Sequence, residues 1–358
     1  MCDQFNKAHP EWDITFTYGV CSEGDAYKTI KNDVDAAADV YMYANDQIPD
    51  LVKIGALAQL GGKTEEAVKA DNDEVIVNSV TYENAIYGVP FTSNTWFLYY
   101  DKSKFSESDV KSLDTMMEKD LGDGVSNFAF SLDNSWYIPA FFFAGDCTLF
   151  GEAGNDASQG CTFNNDSGVE VGKYLVKLAN NKKFSLEKKG TSIAKFKEGK
   201  LGAYCSGSWD ATAIKTALKD NMGVAVLPTI NVNGKDGQMK SFAGSKAIGV
   251  NPNSKSPEVA VALAAYLGSA EAQEAHYTSR GIIPTNKTVA TSDAVKADEI
   301  AQVQANVIST TSIVQPLVSQ MGNFWTPVES FAKEICQGDV TDKNVKEKLD
   351  SMVAGITK

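Results

Sequence analysis

Asp39-Val40-Tyr41-Met42-Tyr43-Ala44-Asn45-Asp46-Gln47 is the stretch whose reading decides the fold. Residues 40–43 read as a strand that stops at a polar Asn-Asp-Gln turn, and a helix is expected over 48–60. In α/β proteins ligands are met at the carboxyl ends of strands. Tyr43 offers a flat apolar face there, and Asp46 offers acceptors to hydroxyl groups. A ring beside a carboxylate suits a sugar.

Working outward, strands and helices keep alternating. Residues 14–18 (Ile-Thr-Phe-Thr-Tyr) alternate like a strand. Gly61-Gly62 reads as the stop of the 48–60 helix. Residues 86–100 form a long extended stretch broken by Pro90, and 97–100 are apolar throughout, as in a strand buried on both faces. Asp166 and Ser167 are expected to cap a helix with Val171, Leu175 and Leu178 on one face. Residues 201–205, 224–227 and 247–250 read as further strands. Ser256-Pro257 opens one helix, and Ser269 and Gly281 bound the next. The last third is mostly helical. This alternation predicts α/β architecture, and the absence of a Pro/Gly/Ser-rich linker points to units built from interleaved segments.

Composition narrows the function. The 358 residues are 43% hydrophobic and 22% charged, enough for two domains. The formal net charge is −13, and Arg280 is the single arginine. Nucleic acid needs a basic face, so it is not an expected partner. Anionic ligands are disfavoured, because bidentate arginine clamps are not on offer. No run of 18 apolar residues occurs, and no signal peptide precedes Cys2. Cys2 is therefore expected inside a helix. The six cysteines contain no Cys-x-x-Cys pair and the chain has two histidines, His9 and His276, so neither a metal nor a cofactor is expected. Cys147 and Cys161 bracket a turn-rich loop. They could be a disulfide or two reduced thiols on adjacent strands of a hairpin.

Catalytic signatures are missing. No phosphate-binding glycine loop and no Gly-x-Ser-x-Gly elbow occurs. The acidic candidates are Asp25, Asp46, Glu83, Asp133, Asp146, Asp210 and Glu329. A glycoside hydrolase would need two of them flanking one bond. Asp210 also stands where it could cap the helix that follows. Three of the five tryptophans share a context. Trp136 follows Asp133-Asn134-Ser135, Trp209 lies between Ser206-Gly207-Ser208 and Asp210, and Trp325 follows Gly322-Asn323-Phe324. Indoles beside small and polar residues can stack on sugar faces while their neighbours take the hydroxyls.

Several motifs then line up in order. Asp39 to Gln47 is followed by Ile54-Gly55-Ala56-Leu57-Ala58-Gln59-Leu60, then Ile86-Tyr87-Gly88-Val89-Pro90-Phe91 and Leu98-Tyr99-Tyr100-Asp101-Lys102. Phe196-Lys197-Glu198-Gly199-Lys200-Leu201-Gly202-Ala203 leads into Ser206-Gly207-Ser208-Trp209. Gly223-Val224-Ala225-Val226-Leu227-Pro228, Phe242-Ala243-Gly244 and Phe324-Trp325 complete the set. Over essentially its whole length the chain resembles the family 1 extracellular solute-binding proteins of bacterial ABC importers, and among them the binders of maltose and maltodextrins.

The resemblance implies an α/β, two-lobed periplasmic-binding-protein fold of type II, with ligand in the interlobe cleft and hinge closure. It implies lobes at 1–93 plus 246–292 and at 94–245 plus 293–358, with the family's first strand missing ahead of Met1. Tyr43 and Asp46 match the family's ring and carboxylate on the first lobe, and Trp136, Trp209 and Trp325 its aromatic platforms on the second. Asn94 and Asp25 match acidic positions more loosely. Gln47 and Glu329 stand where maltose binders can carry arginine. A non-enzymatic, monomeric, extracellular lipoprotein serving a permease is implied, with another neutral oligosaccharide, or a glycoside hydrolase, as the alternative.

Overall fold

Phe97-Leu98-Tyr99-Tyr100, apolar on both faces, belongs to the strand Phe97–Asp101, and all five of its residues are buried. In the computed structural model, which describes residues 1–358, this strand lies between Leu201–Ser206 and Met222–Ala225, antiparallel to both. Leu201–Ser206 runs parallel to Ser126–Phe130, which in turn runs parallel to Phe184–Leu186. The result is a five-stranded mixed sheet.

The chain forms two compact units. One comprises Met1–Asn94 and Gly244–Ala297, the other Thr95–Ala243 and Asp298–Lys358. Both are α/β. The second unit contains the five-stranded sheet and a phenylalanine-rich core. The short helix Pro139–Ala144 is buried at every residue, and Phe142 stacks on Phe163 with ring centroids 4.4 Å apart. Val171, Leu175 and Leu178 bury the inner face of the helix Asp166–Ala179. Each such side chain contributes about 1.5–3 kcal/mol on leaving water. The cap of that helix is Asn165, whose side chain accepts from Gly168 N at 2.8 Å, one residue ahead of the expected pair.

The first unit is built on residues 244–250 of the long strand Ser241–Val250, whose first three residues belong to the second unit. Val40–Ala44 pairs antiparallel with its end, so that Tyr43 faces Ala247. Val89–Asn94 pairs antiparallel with the same strand, with a bulge between Lys246 and Ala247. Tyr43, Leu51, Leu57, Val89, Phe91 and Ile248 belong to this unit's core. Ser256 and Pro257 start the helix Pro257–Leu267. Ser269 caps Ala270–Arg280, which ends on Gly281 in the left-handed region.

Three expected elements differ. Residues 14–18 form no strand and join no sheet; Ile14 and Phe16 are half-buried while Tyr18 and Val20 are exposed. The helix expected over 48–60 is confined to Ile48–Lys53, because Gly55 turns the chain at φ +70°. Gly61 is then the N-cap of the next helix, Gly62–Asp71, rather than the stop of the previous one. The stretch 86–100 is divided into Ala85–Ile86, Val89–Asn94 and Phe97–Asp101, with the last two in different units.

Candidate functional site

The strand Leu201–Ser206, buried along its whole length, delivers the chain to a single turn, Ser208–Asp210, followed by the helix Ala211–Leu218. The turn is pinned from below. Tyr99 Oη donates to the Gly207 carbonyl at 3.0 Å, and Ser206 Oγ donates to Asp210 Oδ2 at 2.7 Å. Asp210 occupies the N-cap position of the following helix, but its side chain makes no cap hydrogen bond. The expected capping role is thus replaced by a clasp across the turn.

Trp209 tops this corner with 49% of its surface exposed, one of three large exposed apolar side chains. Trp136 lies beside it, with ring centroids 5.9 Å apart and planes 39° apart. Trp136 is held by its own turn, in which its N–H donates to Asn134 Oδ1 at 2.8 Å, and by Tyr137, whose ring stands edge-on to it at 5.3 Å. Tyr137 packs in turn on Trp96 and Phe130. Burial, then the nearby Tyr204 and Asp210, pushes the Tyr137 hydroxyl well above its ordinary pKa, so it stays protonated. The two indoles form a bent apolar surface on a rigid footing.

Trp325 opens the helix Trp325–Gln337 and rests edge-on against Phe324 at 5.2 Å and Phe242 at 6.3 Å. One turn on, Glu329 is ion-paired with Lys333. Hydrogen bonding to Glu329 and its charge raise the Lys333 pKa, with a smaller contribution from Asp133. Lys333 was missed in the sequence reading, although its i,i+4 spacing from Glu329 was visible.

In the first unit the strand end is arranged differently from expectation. Tyr43 is fully buried, and its hydroxyl donates to the Tyr87 carbonyl at 3.1 Å. Gly88 and Gly249 press on it: a Cβ at Gly88 would fall 2.2 Å from Tyr43 Oη. The ring is a core side chain and has no open face for stacking. Gln47 is also buried, with both ends of its amide engaged. Tyr27 N–H donates to Oε1, and Nε2 donates to the Glu23 carbonyl, each at 2.7 Å. Gln47 therefore fastens the turn Glu23–Asp25 instead of presenting its amide outward. Asp25 ends that turn and is exposed. Asp46 is half-buried in the turn Asn45–Gln47. Asn94, half-buried, ends its strand opposite Gly244.

The cysteine loop is a hairpin of free thiols. Leu149 pairs with Cys161, and Thr162 N–H donates to the Thr148 carbonyl at 3.0 Å. That register sets Cys147 opposite Phe163, so the cysteines are diagonal neighbours. Diagonal residues are roughly 7–8 Å apart, beyond the usual ~4.4–6.8 Å Cα spacing of a disulfide. Burial pushes both thiols up to about 12. No three His, Cys, Asp or Glu side chains gather to hold a metal ion, and no helix is long and apolar enough to cross a membrane. A solvent-open hollow of about 350 Å³, lined by Lys173, Tyr174, Lys177, Asn231 and Asp342 among others, includes none of the candidate residues.

Residues 1–303 match the family described as bacterial extracellular solute-binding protein. The chain belongs to that family. A solved structure described as being with acarbose is 45% identical to this solute-binding protein, covers 99% of it with 92% of its own chain, and superposes with a TM-score of 0.94. The galactooligosaccharide-binding protein of Bacillus subtilis is 27% identical over 88% of this chain and 76% of its own. A maltooligosaccharide ABC transporter solute-binding lipoprotein of Streptococcus pneumoniae is 27% identical over 95% of this chain and 81% of its own. The two named relatives are named as binding proteins, not as enzymes.

Proposed function

We propose that this solute-binding protein captures maltose and maltodextrins outside the cell, as a monomer tethered by a lipid anchor, and delivers them unaltered to the permease of an ABC importer. The observation that carries this reading is the Trp136–Trp209 pair, two indoles at 5.9 Å with Trp209 half exposed. An apolar ring face in water is an asset where a ligand covers it, and pyranose rings present C–H faces of that size. Trp325 and Glu329 extend the polar and apolar choices on the second unit. From the first unit, Asp46, Asn94 and Asp25 would offer acceptors to hydroxyl groups. The shortage of arginine and the net charge of −13 suit an uncharged ligand. The acarbose-bound and maltooligosaccharide relatives support an α-glucan.

Isothermal calorimetry with maltose, maltotriose and longer maltodextrins tests this directly. Saturable heat that grows with chain length supports it, and the length at which affinity levels off counts the sugar rings held. The Bacillus subtilis relative favours galactooligosaccharides as the second reading, so that series is titrated in parallel. Heat with galactooligosaccharides alone would replace the first reading by the second. Chromatography of maltotriose after incubation should recover the trisaccharide intact; shorter products would point to a hydrolase.

A further inference from the structure

We infer that Gly207 is a positioning residue for ligand binding: its missing side chain is the seat on which the Trp209 indole lies, and the seat sets that indole against Trp136. The inference rests on the sugar-stacking reading above. A Cβ placed on Gly207 would lie 2.1 Å from Trp209 Cζ3, 2.3 Å from Cη2 and 2.5 Å from Cε3. The indole therefore folds back over the backbone two residues earlier and covers the Gly207 Cα.

The backbone gives no reason for glycine here. Gly207 has φ −95° and ψ −173°, an extended conformation open to any residue. The requirement comes from the ring alone. Nor can the backbone draw aside. The Gly207 carbonyl is held by Tyr99 Oη at 3.0 Å, and the flanking Ser206 is tied to Asp210 at 2.7 Å. An added methyl group would instead displace the indole, which is half exposed. The contrast is Gly223. A Cβ there would meet the Tyr100 ring at 2.3 Å, but Tyr100 is 3% exposed and has nowhere to go. At Gly223 a methyl group should cost stability; at Gly207 it should cost the geometry of the platform.

Neighbouring indoles give a coupled exciton signal in circular dichroism, which reads the Trp136–Trp209 arrangement without any ligand. The experiment measures that couplet, thermal stability and maltotriose affinity in the wild type, Gly207→Ala, Trp209→Ala and the double variant. Gly207→Ala should keep its melting temperature, lose the couplet, and bind maltotriose on the order of tenfold more weakly. In the Trp209→Ala background, Gly207→Ala should change the affinity no further, because the group it displaces is gone. An intact couplet with unchanged affinity in Gly207→Ala would overturn the inference, and so would a penalty that persists without Trp209. If Gly207→Ala fails to fold, the double variant should fold, and its failure would also overturn the idea. Absence of wild-type binding to every sugar tested would overturn the functional reading, whereas the couplet judges the seat independently of it.

Discussion

Two strand ends of this molecule carry an aromatic residue near a carboxylate, and they use it in opposite ways. In the first unit Tyr43 lies within the ladder, paired with Ala247, and its ring is fully buried beneath Gly88 and Gly249. In the second, Trp209 sits three residues past the end of the strand Leu201–Ser206, in a turn, and is half exposed. A residue inside a ladder points to whichever face the register assigns. A residue past the last ladder bond is aimed by the turn. Position relative to the last pairing, more than the type of ring, separates a core side chain from a surface available to ligand.

Substitutions should divide along this line. The largest effect expected is on Tyr43→Ala, which opens a cavity and removes the bond to Tyr87. It should cost about 3–5 kcal/mol of unfolding free energy in urea titrations. Maltotriose affinity of the folded fraction should be unaltered, and a weakened affinity with full stability would reverse the assignment of the two strand ends. Trp209→Ala is the mirror case. Binding should weaken by tenfold or more in calorimetry, equivalent to about 1.4–3 kcal/mol of lost stacking, while stability moves by about 0.5 kcal/mol at most. Gln47→Ala should be intermediate. It releases two partly buried hydrogen bonds and frees the turn that ends in Asp25, for about 1–3 kcal/mol of stability. Protease cutting near residues 23–27 should rise with it; unchanged cutting would show that the turn does not depend on Gln47.

The smallest effect concerns acid. In the second unit, hydrogen bonds from Lys119, then from the backbone and hydroxyl of Ser106, hold Asp109 down to about 2. A carboxyl whose folded pKa lies below its unfolded value stabilises above that unfolded value and loses the contribution as pH falls toward the folded one. The loss should therefore fall between about pH 4 and pH 2. Solvent screening keeps it under about 1 kcal/mol. Asp109→Asn should flatten the stability profile in that window, and an unchanged slope would remove Asp109 from the acid response.

What could be read beforehand follows the same division. Helix punctuation was legible, because Ser256-Pro257, Ser269 and Gly281 satisfy or release backbone groups within a few residues of themselves. The buried strand at 97–100 was legible from composition alone. The run 14–18 was expected as a strand and is none, since alternation reports faces and not hydrogen-bond partners. The helix over 48–60 was overextended because Gly55 carries no sign of the sign of its φ. The tryptophan contexts pointed to a surface, yet nothing local in Ser-Gly-Ser-Trp-Asp announces that the glycine lies beneath the indole. Likewise, the side on which Tyr43 would fall depended on Gly88 and Gly249, distant in sequence.

The long strand Ser241–Val250 also has a consequence for how the molecule is made. Val40 finds its partner in Val250, about 200 residues further along the chain. At a synthesis rate of ~5–20 residues per second, the first strand waits roughly 10–40 s for the residues that complete its sheet. Throughout that interval Tyr43, Leu51 and Leu57 lack the Ala247 and Ile248 side of their core. The nascent N-terminal segment therefore leaves apolar surface uncovered for that interval, and the whole of Thr95–Ala243 is synthesised before the first unit can be completed at Ala297.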